Sequence, residues 1–172
     1  MIGYPFFKYT LSSWDEKKKQ LLELFDEASL ENPSHEESNV FTSYFNQSVN
    51  SAKLVSILSD SLEKFSEESG FAPAELQHAW FQKYTSNCFH TPHNHGMVGY
   101  SAICYIEFDK TCHTATQFIL PWYNMFNGEQ IDYSPDIKEG DIVIFPAQLM
   151  HFALPNKSDK PRIILSFNIR PS

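Results

Sequence analysis

At 172 residues the chain has room for one sizeable hydrophobic core and little room for two. Hydrophobic residues make up 42% and aromatic residues 15%, with 15 Phe and 8 Tyr, which excludes global disorder. A formal charge of -8 argues against broad gripping of nucleic-acid phosphates, while leaving room for a small basic pocket.

The first residues, from Met1 to Lys8, lack a charged segment followed by a long apolar one, so no signal peptide is expected. No apolar run approaches the length of a membrane span, so no membrane partner is expected either. Cys88, Cys104 and Cys112 are odd in number and have no CxxC spacing. That argues against a disulfide framework and fits reduced thiols in a cytoplasmic protein.

In chain order, the first half predicts helices and the second half strands. Ser13 with Glu16 makes a capping-box pattern, and Leu21, Leu22, Leu24 and Phe25 follow at helical spacing up to about Ala28. Residues 31–38 read as a polar loop. A second helix is predicted over residues 48–69, with Val49, Val55, Ile57, Leu58, Leu62 and Phe65 on its apolar side and Gly70 as its stop. Both helices are expected to buttress a sheet and to carry no chemistry. From Leu76 onward, β-branched and aromatic runs divided by turn residues predict strands at 77–84, 98–108, 114–119, 141–145 and 162–169. Residues 138–141 and 156–161 read as turns. Helices followed by antiparallel strands predict one α+β domain, helical over about 1–75 and a β core over about 76–172, its sheets forming a sandwich or a rolled barrel.

Three histidines crowd into His90-Thr91-Pro92-His93-Asn94-His95, and His151 lies far downstream. In an extended strand, side chains at i and i+2 project from one face, so His93 and His95 are expected to point into one space. His90, offset by three from His93, is expected on the opposite face. A third ligand from a distant strand, His151, would close one face of a metal ion and leave the other open. Imidazole suits iron, copper, nickel and zinc, and a three-residue face with open positions is the arrangement of non-haem Fe(II) oxygenases. The alternative is a chance cluster of surface histidines. His113 beside Cys112 reads as a turn histidine, and His35 and His78 have no evident partner.

The stretch from Tyr84 to His95 resembles the first metal motif of prolyl-4-hydroxylase-like 2-oxoglutarate/Fe(II) dioxygenases, in which a Tyr stands nine positions before the first His of a His-x-Asp pair. Tyr84 and His93 keep that spacing, Asn87 stands where a Gly is usual, and His95 stands where the Asp is usual. The segment from Ser101 to Ile106 resembles the next core strand, and Thr114 to Phe118 the T-x-F strand. Glu139 to Phe145 resembles the strand leading to the distal histidine, and Pro161 to Asn168 the closing strand. The resemblance covers roughly residues 80–170. With HxH in place of HxD, the set is similar to that of small phage-type and bacterial oxygenases of the superfamily.

The resemblance implies a double-stranded β-helix, a jelly-roll or cupin-like barrel, buttressed by the N-terminal helices. It implies a 2-oxoglutarate- and Fe(II)-dependent dioxygenase that hydroxylates a peptide or protein side chain or a small molecule, with dioxygen as co-reactant. His93, His95 and His151 would be the metal ligands, Arg162 the cation for the distal carboxylate of 2-oxoglutarate, and Tyr84 a hydroxyl donor to that carboxylate. A guanidinium fork suits a carboxylate. A surface ion pair for Arg162 and a structural ring for Tyr84 remain the other roles. His95 could instead contact a metal-bound water, since imidazole in place of carboxylate removes a negative charge from the ligand set. His90, Tyr105 and Asn168 are candidates to touch the ligands or the substrate.

Two readings from other classes stand beside this one. Gly140, Pro146, His151 and Asn156 echo the second cupin motif, which would make a three-His metalloprotein independent of 2-oxoglutarate. Gln148 stands at that motif's second Gly, however, and no Glu follows His95 at the cupin interval. The other is a non-catalytic barrel that serves as a binding module. Substrate selectivity is expected in the loops at 35–43 and 122–134, where Trp122, Tyr123, Phe126 and Tyr133 could line an aromatic rim or simply pack.

Overall fold

The computed structural model describes residues 6–32, 39–46, 49–70 and 75–170. The chain runs through β1 (Phe7–Thr10), α1 (Trp14–Leu24), β2 (Phe41–Thr42), α2 (Ser51–Ser69), β3 (Glu75–Tyr84), β4 (His90–His93) and β5 (Tyr100–Glu107). It continues through β6 (Gln117–Tyr123), β7 (Gln130–Tyr133), β8 (Asp141–Pro146), β9 (His151–Ala153) and β10 (Arg162–Arg170). Two antiparallel sheets result, one of six strands in the order β1-β8-β5-β10-β3-β2 and one of four in the order β4-β9-β6-β7. The architecture is α+β, as composition and order predicted. Among the described residues no helix is long and apolar enough to cross a membrane.

The large sheet is covered on both faces, which explains why its central strands read as unbroken apolar runs. β8, Asp-Ile-Val-Ile-Phe-Pro, is buried at every position. Alternation still sorts the side chains: Ala102, Cys104 and Ile106 of β5 pack under the helices with Leu54, Leu58 and Phe65. Ile103 and Tyr105 face the small sheet, with Phe118 and Ala153. The period-2 rule of an extended chain thus feeds two cores from one strand.

Helix ends depart from the sequence expectation. Ser13 sits in the left-handed region (φ 50°) and its hydroxyl caps nothing, so no capping box forms; Glu16 meets Gln20 instead. α1 stops at Leu24, with Phe25 extended, and a 3-10 turn at Glu27–Ser29 follows, opened by the Asp26 carboxylate accepting from Ala28 N–H. α2 begins at Ser51 because Asn50 caps it, accepting from Lys53 N–H at 3.0 Å. Gly70 ends it in the left-handed conformation (φ 72°), as expected. Leu54 rather than Val55 completes the buried stripe, leaving Val55 exposed.

Three long strands lie close to their predicted spans. The run predicted from residue 98 starts at Tyr100, since Gly99 (φ 87°) passes so near β10 that a Cβ there would lie 2.5 Å from the Ile169 carbonyl oxygen. The run predicted at 114–119 instead spans Gln117–Tyr123 and forms a hairpin with β7, so much of the expected rim loop is strand.

Candidate metal centre

Pairing of β4 with β9 sets His93 directly opposite His151. The regular strand ends at His93, yet the chain stays in place because the His95 N–H donates to the Ala147 carbonyl at 2.8 Å. Ring centroids lie 4.3 Å apart for His93 and His151, 5.1 Å for His95 and His151, and 5.3 Å for His93 and His95. One ring nitrogen from each of the three falls within 4.8 Å of the others. The expected triad is therefore assembled from two strands and a strand end.

Hydrogen bonds set the rings for ligation. His93 Nδ1–H donates to the Thr91 carbonyl (2.8 Å) and His151 Nδ1–H to the Leu149 carbonyl (2.9 Å), which leaves each Nε2 with its lone pair. His95 is held by a side-chain hydrogen bond to Asn168, whose Oδ1 also accepts from Ser101 Oγ at 3.0 Å, and by Trp80 stacked on its ring at 5.3 Å. Burial pushes all four clustered histidines down, and repulsion from neighbouring rings adds to this for three of them. His90 falls to about 3, His95 to about 4, and His93 and His151 below the ordinary value. Neutral imidazoles with free lone pairs suit a borderline divalent metal such as iron, nickel, copper or zinc.

His90 is not on the face predicted for it. Its ring stacks on His93 at 3.9 Å, because the β4–β9 register shifts between His90 and His93 and the extra residue restores the same side. Its Nδ1 faces the Gln82 side chain (3.3 Å) rather than the triad.

Tyr84 lines the other end of the cavity, and Arg162 lies against its ring. The arginine is 2% exposed, which rules out a surface ion pair. Nη1 donates to the Thr114 carbonyl and Cζ sits 4.0 Å from the centroid of the Tyr84 ring, while Nε and Nη2 have no partner. A buried cation with orphaned donors costs several kcal/mol, on the order of 3–5 when a counter-ion is removed, so the geometry calls for an anion. Tyr84 is itself buried, and burial lifts its hydroxyl to about 12 against the opposing pull of Arg162. Tyr105 belongs to this end, not to the triad: its hydroxyl accepts from Thr116 N–H at 3.2 Å.

Sequence reasoning missed Trp80, Gln82 and Ser166, which line the cavity. The signal was available: Trp80, Gln82 and Tyr84 alternate along β3, as Arg162, Ile164, Ser166 and Asn168 do along β10. The expected aromatic rim is misplaced, since no residue of 122–134 lines the cavity or its mouth. That hairpin grows from the β7 side of the small sheet, whereas the triad lies toward the β4 edge. Of the loop expected at 35–43, Val40 and Thr42 reach the mouth, and residues 35–38 lie outside the described residues. His113 is a turn histidine, as expected: Nδ1 accepts from Asp109 N–H and Nε2 donates to the Lys160 carbonyl, both at 3.0 Å. His78 packs between Tyr44 and Trp80, and His35 is outside the described residues.

The donor set of three neutral imidazoles and one orphaned guanidinium fits a divalent metal and a dicarboxylate together. Comparison with curated protein sequences finds no match. A family model described as "Putative 2OG-Fe(II) oxygenase" matches residues 78–168, more than half of the chain. Among solved structures, the chain is similar to a prolyl-4-hydroxylase from Pseudomonas putida, with a TM-score of 0.70, 14% identity, and 98% of this chain and 94% of that chain covered. It is also similar to a viral collagen prolyl hydroxylase from Paramecium Bursaria Chlorella virus-1 in complex with 2-oxoglutarate (TM-score 0.64, 14% identity, 99% and 98% covered). A third is HygX from Streptomyces hygroscopicus, solved with nickel, 2-oxoglutarate and hygromycin B (TM-score 0.62, 11% identity, 98% and 84% covered). The matched span contains the whole triad and Arg162, and with it the chain belongs to the 2OG-Fe(II) oxygenase family, whose cofactors are Fe(II) and 2-oxoglutarate.

Proposed function

We propose that this protein is a 2-oxoglutarate-dependent hydroxylase that holds Fe(II) on His93, His95 and His151 and anchors the distal carboxylate of 2-oxoglutarate on Arg162. The observation that carries the reading is the buried Arg162 guanidinium with two unpartnered nitrogens, set against Tyr84, which lines the same cavity as the three histidines. In this reading the two sheets are the faces of a double-stranded β-helix, and residues 1–172 form one domain. Three free thiols, at Cys88, Cys104 and Cys112, support a cytoplasmic setting.

When bound, iron and 2-oxoglutarate supply the oxidising power that inserts an oxygen atom of dioxygen into a substrate C–H bond. The chain's own residues do the rest. The Thr91 and Leu149 carbonyls orient two of the imidazoles, and Asn168 and Trp80 orient the third. Tyr84 supports the guanidinium from one face and offers its hydroxyl beside it. Phe118 and Phe145 pack against the His151 ring and keep water from that side.

Calorimetry of 2-oxoglutarate into Mn(II)-loaded protein without oxygen tests the reading. The parent should bind, and Arg162→Ala should weaken binding on the order of 30-fold or more, as loss of a buried charged partner costs about 2–5 kcal/mol. Arg162→Lys should recover part of that, a point charge replacing a fork. A parent that binds no 2-oxoglutarate sinks the proposal and leaves a three-His metalloprotein in its place.

A further inference from the structure

Beside the triad, the cavity shares Trp80, Gln82 and His90 with an open groove of 530 Å³. That volume falls in the range of roughly 300–1,000 Å³ typical of small-molecule sites. No lysine, arginine, aspartate or glutamate lines it among the described residues. A charged group entering it would shed water for described walls that carry no acidic side chain and no lysine or arginine.

One wall is a braced aromatic surface. Trp80 stacks on His95 and meets Tyr44 at 5.1 Å with the two rings perpendicular. Tyr44 is held in turn by a T-shaped contact with Phe45 at 5.4 Å and by His78 at 4.8 Å. Offset or edge-on contact with such rings contributes about 0.5–1.5 kcal/mol beyond the area buried.

A directed donor stands beside this surface. Ser166 Oγ–H donates to Gln82 Oε1 (3.1 Å), so the Gln82 amide turns its Nε2–H toward His90 Nδ1 at 3.3 Å. Ser166 and Gln82 are both buried, which fixes the relay. With Nδ1 accepting, the ring hydrogen of His90 sits on Nε2, the opposite assignment to His93 and His151. His90 is thereby a hydrogen-bond donor in a residue that lines both the cavity and the groove.

The lip of the groove disfavours an added peptide strand. It is formed by β4, an edge strand of the small sheet. Strand addition needs unpaired N–H and C=O groups there. Pro92 has no N–H, and the Thr91 carbonyl is already engaged by the His93 ring.

We propose that the groove binds an uncharged small molecule that lays an apolar ring against the exposed Tyr44 and Phe45, the first braced by Trp80, and gives an oxygen to His90 Nε2–H. This names the substrate class and rests on the hydroxylase reading above. The test uses a shape-matched set: 1-indanone (neutral, with an oxygen), indane-1-carboxylate (anion) and 1-aminoindane (cation), with a capped (Ala-Pro)4 peptide beside them. Each is titrated into Zn(II)- and 2-oxoglutarate-loaded, 15N-labelled protein while the Trp80 indole resonance, assigned with Trp80→Phe, is followed.

The expected result is a saturating shift with 1-indanone and binding at least tenfold weaker for both charged analogues. This comparison on the unaltered protein needs no variant. His90→Asn should weaken 1-indanone by about two- to tenfold, the size of one neutral hydrogen bond. His90→Gln should restore it, since its amide nitrogen reaches the place of Nε2. Equal binding of a charged analogue, or preference for the peptide, overturns the proposal. Bound 2-oxoglutarate with no response to 1-indanone overturns the groove assignment alone. Absence of 2-oxoglutarate binding overturns the hydroxylase reading, and the groove's role as substrate site falls with it.

Discussion

Four histidines share one small volume, and their hydrogen bonds separate their roles. His93 and His151 each give a ring proton to a carbonyl two residues before them, a local arrangement that leaves Nε2 bare. His90, tied through Nδ1 to Gln82, is arranged the other way. Changing His93 or His151 to Ala should therefore abolish stoichiometric metal binding, measured as metal per chain after gel filtration. His90→Ala should retain it. If His90→Ala loses the metal while His93→Ala keeps it, the ligand set is wrong. The HxH spacing was legible in the sequence because positions two apart on an extended chain share a face, and the three rings do meet in one volume with the distal histidine. The side of His90 was not, because a register shift between β4 and β9 leaves no trace in residue types.

Elements anchor the site at a distance. α1 is bound to the rest of the molecule by Lys17–Asp60 (2.6 Å) and by Lys18, which reaches Glu139 at 2.8 Å and Glu107 at 3.0 Å. Burial opposes ionisation of Asp60 and Glu139, but the lysine ammonium groups outweigh it, helped by Ser12 at Asp60 and Trp14 at Glu139, and both carboxyls are held below their usual range. Lowered carboxyl values in the folded state mean that the unfolded chain takes up protons first on acidification. Stability from these pairs is present above the unfolded values of 3.8 and 4.5 and is lost as pH falls below them. An Asp60→Asn, Glu139→Gln variant should be less stable than the parent by about 1 kcal/mol at pH 7, since partly exposed pairs each contribute only a fraction of that. The gap, read by urea unfolding, should close toward pH 3; a gap independent of pH would show that packing alone holds α1. The long strands were readable from composition, being fed by two cores. Five short ones, β1, β2, β4, β7 and β9, span two to four residues each, too few for any period to show.

At the scale of the whole molecule, the site ties the two sheets together. His93 and His151 come from the small sheet, and Arg162, Tyr84 and Trp80 from the large one. Order of motifs carried this much in the sequence: the triad and the basic residue recur at family spacing, so the two sheets could be expected to meet around them. The mouth was not legible, because which loop lies over which sheet edge depends on strand order, and strand order is set by packing between elements far apart in the chain. A metal and a dicarboxylate bound between the sheets should raise the stability of the folded chain in two separable steps. A ligand at 100 times its dissociation constant adds about 2.7 kcal/mol. For a chain of this length each kcal/mol moves the midpoint by roughly 2–4 °C, so each ligand should add about 5–10 °C. Mn(II) alone should give the first increment, and Mn(II) with 2-oxoglutarate both. In Arg162→Ala the metal increment should remain and the 2-oxoglutarate increment should fall to about a third or less. In His151→Ala both should vanish, because in the proposed reading 2-oxoglutarate needs the metal as well as the guanidinium. Thermal unfolding of the three proteins under the three conditions reads this pattern directly. Loss of the metal increment in Arg162→Ala would mean that the guanidinium supports the histidines themselves.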